Sequence, residues 1–210
     1  MTELINPEPT IADLAVEFGP IPAYRICTNP PPGTGSVNDV VRLHAETGRL
    51  FELTRGTLLE KTMGTLESII AATIVRILGN YVSENELGVV LGADGMLRLD
   101  ENLVRIPDVS FVAKDRLPGG RIPDEAIARL VPNIAIEVIS PSNSTEEMTT
   151  KLADYFRAGV DRVWYVYPRT STIHVYETES NFTELTVQDL LKDHSTLPTF
   201  QVPVRDIFHY

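Results

Sequence analysis

The strongest periodic signal in the chain lies over residues 65–78, where Leu66, Ile69, Ile70, Ile74, Ile77 and Leu78 recur at helical spacing. That stripe predicts a core-facing helix with Thr65 as its N-cap. Just before it, FELTRGTLLEK within residues 50–61 alternates apolar and polar positions on both sides of Arg55 and Gly56, which predicts a hairpin. Residues 89–99 and 106–112 read as strands flanking a turn at Asp100, Glu101 and Asn102, followed by a Pro/Gly-rich loop over 117–123. Residues 133–140 hold the apolar run Ile134, Ala135, Ile136, Val138 and Ile139, interrupted only by Glu137, and the segment is short, β-branched and bounded by Pro132 and Pro141, as a central strand is. Ser144 and Glu147 have the spacing of a capping box, and Gly159 stands where a helix over 145–158 would end. Residues 163–167 and 172–177 form a second hairpin, and the closing VPVRDIF is an apolar patch that docks on the body.

The first 48 residues have a different texture. Pro7, Pro9, Pro20, Pro22 and Pro30 to Pro32 remove backbone donors and disfavour helix, so the segment is an extended arm over 1–48 packed on a body over 49–210. Two short helices interrupt it, near residues 11–18 and over 37–47, the second capped by Ser36 and ended by Gly48. This order of elements implies a mixed α/β or α+β fold built on one sheet.

Composition narrows the picture further. With 210 residues, 43% hydrophobic and 22% charged, the chain is one core with decorations rather than a disordered polymer. Eighteen basic residues face 29 acidic ones, a net charge of −11 that places a protein coating nucleic acid non-specifically at a disadvantage. A divalent metal in a carboxylate-lined cleft would restore positive charge locally. Cys27, the single cysteine, excludes an intramolecular disulfide and a CxxC zinc site and fits a reducing compartment. With neither a signal-peptide pattern nor 18 consecutive apolar residues, the expectation is a cytoplasmic protein not bound to a membrane.

The chemistry concentrates around Glu137. A carboxylate in a buried strand must be paired, metal-bound or facing a cleft, unless the strand is an edge with a solvent face. Asp108, at the start of the strand in IPDVSFV, is either a second ligand or a strand-entry turn residue. Together on adjacent strands the two could converge on a hard cation such as Mg²⁺, with the Val138 carbonyl as a third ligand. Lys151, one of only four lysines, sits on the next helix, where it contacts a phosphate, orients a water or simply snorkels to solvent. Glu67 either reaches the same site or caps its own helix through the dipole.

The segments MGTLESII, GVVLGADGMLRL, VRIPDVSFV, PNIAIEVISPSN with EMTTKLADYFRAGVDRVWYVYP, and LPTFQVPVRDIF resemble the Uma2 family. That family, also described as DUF820-like, is assigned to the restriction-endonuclease-like PD-(D/E)xK superfamily, and the resemblance runs from about residue 19 to the end. It implies a mixed sheet flanked by helices and a metal-dependent endonuclease using Mg²⁺ or Mn²⁺ on nucleic acid, DNA first. Ile139 stands where the superfamily places its lysine, two residues after Glu137; in Uma2-like sequences the lysine is on the next helix, where Lys151 lies. By this resemblance Asp108, Glu137 and the Val138 carbonyl hold the metal, Glu67 holds a metal-bound water, and Lys151 completes the site.

Two other classes compete. One is a nucleic-acid-binding or protein-interaction module that keeps the fold without cutting; the other is a small-molecule hydrolase on the same metal site. A phosphate-binding loop is not among the options, because the Gly33 to Gly35 segment lacks the lysine of such a loop. Trp164, Tyr165 and Tyr167 either stack bases or pack in the core, Trp164 sharing its face with Val166. Apolar positions including Leu190, Leu191, Ile207 and Phe208 leave room for a homodimer.

Overall fold

The computed structural model describes residues 9–209; the first eight residues of the expected arm, with Pro7, and Tyr210 lie outside the described residues. The helices are α1 (Ile11–Phe18), α2 (Val37–Thr47), α3 (Thr65–Glu84), α4 (Thr145–Ala158) and α5 (Val204–Ile207). The strands are β1 (Phe51–Thr54), β2 (Thr57–Glu60), β3 (Gly88–Leu91), β4 (Leu97–Asp100), β5 (Leu103–Arg105) and β6 (Val109–Ala113). They continue with β7 (Ile134–Val138), β8 (Arg162–Tyr167), β9 (Thr172–Thr178), β10 (Asn181–Leu185), β11 (Leu190–Lys192) and β12 (Gln201–Pro203).

β7 is central because its residues have no polar face to turn outward, and all five are buried. It pairs with β6 antiparallel and with β8 parallel, in a six-stranded sheet of order β10-β9-β8-β7-β6-β3. On one face, Ile134, Ile136, Val138, Trp164 and Val166 pack against Ile70, Ile74 and Leu78 of α3 and against Phe200, Val204 and Ile207. On the other, Ala135, Val163 and Tyr165 pack against Met148, Leu152 and Tyr155 of α4.

A second sheet, of order β2-β1-β5-β4, covers α4 from the opposite side through Leu97 and Leu99, so α4 lies between two sheets. The far face of this sheet is closed by Val40 of α2 over Phe51, Leu53 and Val104. α1 packs Leu14 and Phe18 onto Leu59. The expected central mixed sheet flanked by helices is what the protein has. The single sheet expected is, however, divided among the six-stranded sheet, the four-stranded one and a two-stranded β11-β12 ladder, because the first hairpin pairs with β5 rather than with the central strands.

Several local expectations change. Residues 89–99 are not one strand: the segment breaks between Gly92 and Gly95, so that β3 joins the large sheet and β4 the small one. Likewise the strand expected over 106–112 begins at Val109, since Pro107 has no N–H to contribute to a ladder. α3 runs on to Glu84, and its N-cap is Gly64 rather than Thr65. By length and composition α3 could cross a membrane, yet Ile70, Ala71, Ile74, Leu78 and Val82 are spent on the core. Ser144 caps Glu147 N–H as expected, but no reciprocal bond forms, because the Glu147 carboxylate is taken by Arg25. Tyr165 is buried rather than free to stack on a base, its hydroxyl donating to the Met148 carbonyl. Leu191 and Ile207, two of the apolar positions open to a dimer, belong instead to the protein's own core.

Candidate active site

Glu137 points from the middle of β7 toward α4, where it meets Lys151 and Tyr155 one helical turn apart. Its Oε1 accepts from Lys151 Nζ at 3.2 Å and from the Tyr155 hydroxyl at 2.6 Å. Asp108 lies immediately before β6, the neighbouring strand, and its Oδ2 accepts the Val138 N–H at 2.7 Å. The four residues singled out in the sequence, Glu67, Asp108, Glu137 and Lys151, together with Val138, all line one small cavity. It offers about 20 Å³, room for roughly one water or ion.

The structure brings further residues to this cavity that sequence reasoning missed. Lys61, just past β2, places Nζ 2.8 Å from Asp108 Oδ1 and also donates to the Ile106 carbonyl. Glu52 in β1 accepts from Lys151 at 3.1 Å, from the Ile106 N–H at 3.1 Å and from Arg105 at 3.0 Å. Arg105 bridges Glu52 to Asp154 of α4, and its side chain is 1% exposed. Arg25 forms a two-pronged pair with Glu147. Lysine rarity was a signal that could have found Lys61; Glu52 and Arg105 carried none, since each sits where an alternating strand places polar residues outward.

Burial dominates the electrostatics. It pushes the Glu137 carboxyl above its usual range, and the Asp108 and Glu52 charges act in the same direction against the pull of Lys151. Glu52 goes the other way: burial alone would raise it, but Lys151, Arg105 and Lys61 hold it at about 2. Lys151 resists the effect of burial because Glu137, Glu52 and Glu147 surround it, and its ammonium is held above the ordinary lysine range. The pair is asymmetric because Lys151 faces several carboxylates whereas Glu137 has carboxylates as well as ammonium groups for neighbours.

The donor set suits a hard divalent cation, being made of carboxylate and carbonyl oxygens. Lining the cavity, the carboxylates Glu52, Glu67, Asp108 and Glu137 outnumber the cations Arg25, Lys61 and Lys151 by one. Glu67 folds back over the start of its own helix, so that a Cβ built on Gly64 would lie 2.2 Å from its Oε2. Among the described residues no three carboxylate, imidazole or thiol groups converge at ligating distance. The reason is visible in the contacts: Lys61 and the Val138 amide engage Asp108, while Lys151 and Tyr155 engage Glu137.

Comparison with known proteins agrees with this architecture. A solved structure titled as a "putative nuclease belonging to DUF820", from Anabaena variabilis, superposes with a TM-score of 0.68 at 20% identity, covering 77% of this chain and 91% of that one. That likeness shows the fold. No curated protein matches the chain. The family model of Uma2, described as "Putative restriction endonuclease", matches residues 37–205, and on that match the chain belongs to the Uma2 family.

Proposed function

We propose that the chain is a metal-dependent endonuclease that hydrolyses phosphodiester bonds of nucleic acid, DNA in the first instance. The observation that carries the reading is the convergence of Asp108, Glu137 and Lys151 on one buried cavity with an excess of negative charge. Asp108, Glu137 and the Val138 carbonyl would hold Mg²⁺ or Mn²⁺, with Glu67 reaching it through a water. Such an ion, when bound, supplies charge to polarise a phosphate and to acidify a water.

The protein's own residues define the rest. Lys151 is held firmly protonated by its carboxylate neighbours, so it serves as a fixed cation for an anionic transition state rather than as a proton acceptor. Tyr155 and Lys151 together fix the Glu137 carboxylate through Oε1, leaving its second oxygen without a protein donor among the described residues. Glu52 and Arg105 hold Lys151 and α4 in place from the second sheet.

A second reading, a binding module on a nuclease fold that no longer cuts, is favoured by one observation. Protein donors already engage both Asp108 oxygens and one Glu137 oxygen, so the site is electrostatically tolerable without a metal. Calorimetric titration of Mn²⁺ into the wild type, Asp108→Ala and Glu137→Ala, with nicking of plasmid and single-stranded DNA by the same samples, separates the two. The nuclease reading expects binding and nicking in the wild type and the loss of both in each variant. Absence of Mn²⁺ binding by the wild type would sink it and leave the binding module.

A further inference from the structure

We propose that Lys61 is a second functional lysine of this site: it holds the place of a cation on Asp108 and passes to a substrate phosphate oxygen when a divalent ion takes that carboxylate. The inference rests on reading the cavity as a metal-dependent nuclease site.

Asp108 has two oxygens, and they differ in freedom. Oδ2 is fixed by the Val138 backbone N–H at 2.7 Å, a donor that cannot move without disturbing β7. Among the described residues, Oδ1 is paired only with Lys61, at 2.8 Å, with both side chains 8% exposed. A metal ion using Asp108 therefore competes with the Lys61 ammonium for Oδ1. Lys61 is well placed to move: its backbone is held to the first hairpin by its N–H to the Leu50 carbonyl, while the side chain is a flexible four-carbon stem.

Once displaced, a nearly buried ammonium needs another anion, because leaving it unpaired is costly. Its remaining hydrogen bond among the described residues is to the Ile106 carbonyl, a neutral group. Glu137 and Glu52 are already bound to Lys151, Glu52 is bound to Arg105 as well, and Glu67, the other carboxylate lining the cavity, is the one that the proposed function assigns to a metal-bound water. The anion that the reaction itself brings is the phosphodiester. The other lysines are poor alternatives: Lys114 pairs with Glu86 at an exposed surface, and Lys192 is exposed. This exchange also answers the charge problem of a chain at −11, since a cation committed to Asp108 becomes available to a polyanion only when the metal has arrived.

The test uses the full chain and two binding probes that do not depend on cleavage. Mn²⁺ is titrated calorimetrically into the wild type, Lys61→Met and Lys61→Arg without nucleic acid. A short single-stranded DNA oligonucleotide is then titrated into the same proteins in Ca²⁺. Loss of a competing charged contact should make Lys61→Met bind Mn²⁺ about tenfold tighter than wild type or more. The oligonucleotide should bind it about tenfold more weakly, with Lys61→Arg restoring most of that loss. Lys61→Gln, which keeps a neutral donor toward Asp108, replaces the Met variant if that one does not fold.

Unchanged or weaker Mn²⁺ affinity in Lys61→Met, against a wild type that binds Mn²⁺, overturns the inference and leaves the nuclease reading intact. Tighter Mn²⁺ binding with unchanged oligonucleotide affinity overturns the transfer to phosphate. Failure of every protein to bind Mn²⁺ overturns the nuclease reading and this inference with it.

Discussion

The Tyr155 hydroxyl donates at 2.6 Å to Oε1 of Glu137, the same oxygen that accepts from Lys151 at 3.2 Å. A bond of this kind favours the charged carboxylate, and it opposes the burial that pushes Glu137 upward. Tyr155→Phe removes the donor while keeping the ring in the α4 core. The Glu137 carboxyl should then rise further, so Mn²⁺ binding, which needs the carboxylate, should demand a higher pH than in the wild type. Calorimetry at a series of pH values reads the displacement, and a midpoint that stays put or moves down sinks the idea. Stability should fall by about 1–3 kcal/mol.

Arg105 presents a different case, because it holds two buried carboxylates at once. Its guanidinium contacts Glu52 and Asp154, linking the small sheet to α4 beneath the cavity. Arg105→Met takes one buried cation away from both carboxylates, leaving Glu52 to Lys151 and Asp154 to Arg157, and breaking a buried pair in this way costs about 3–5 kcal/mol. Urea unfolding should show the midpoint falling accordingly. Adding Glu52→Gln to Arg105→Met should recover part of that loss, since one of the two carboxylates that lost its guanidinium is neutralised; a double variant no more stable than Arg105→Met alone contradicts the account.

These two relationships also show where a single sequence stops being informative. β7 and α4 could be read because their signals are local: Pro132 and Pro141 bound one, while Ser144 and Gly159 bound the other. Glu137 stood out as a charge in an apolar run, and Lys151 as a rare lysine beside a buried stripe. Glu52 did not, since a carboxylate at an alternating hairpin position reads as solvent-facing. It is buried only because α4 covers that face of β1, and its partner Arg105 lies 53 positions away. The break within residues 89–99 escaped notice for a similar reason. Gly92 and Gly95 permit a change of direction, but which sheet receives each half is decided by packing. β10 went unread because its exposed positions carry little periodicity, and β11 and β12 because three residues each are too few to show any.

Glu52 and Glu137 should leave opposite marks on acid stability. Glu52 is depressed from 4.5 to about 2, so its contribution is present above about pH 4.5 and is lost as pH falls toward 2. Glu137 is raised, so the folded state takes up its proton first, and falling pH stabilises the fold until the unfolded chain is protonated too, near 4.5. Glu52→Gln should therefore flatten the loss of stability between about pH 4.5 and 2, whereas Glu137→Gln should leave that window unchanged and raise stability near neutrality. Urea midpoints across pH distinguish the two, and an acid limb equally steep in Glu52→Gln and wild type contradicts the assignment.

Arg25 ties the N-terminal arm to the helix that carries Lys151. Its guanidinium meets Glu147 at 2.6 and 3.0 Å, and it also donates to the Glu60 and Ser142 carbonyls. One side chain thus joins the arm, the end of the first hairpin, the loop after β7 and the first turn of α4. Both charged partners are almost fully buried. Arg25→Ala leaves the Glu147 carboxylate unpaired and should cost about 3–5 kcal/mol, whereas Arg25→Lys keeps the charge but loses the fork and should fall between. Combining Arg25→Ala with Glu147→Ala removes both ends together, so the double variant should lose much less than the sum of the two single losses. Strict additivity in that cycle contradicts the coupling. Where coupling holds, Arg25→Ala should also speed proteolytic cleavage in the Pro30 to Gly35 segment, because that segment follows directly on the residue that anchors it.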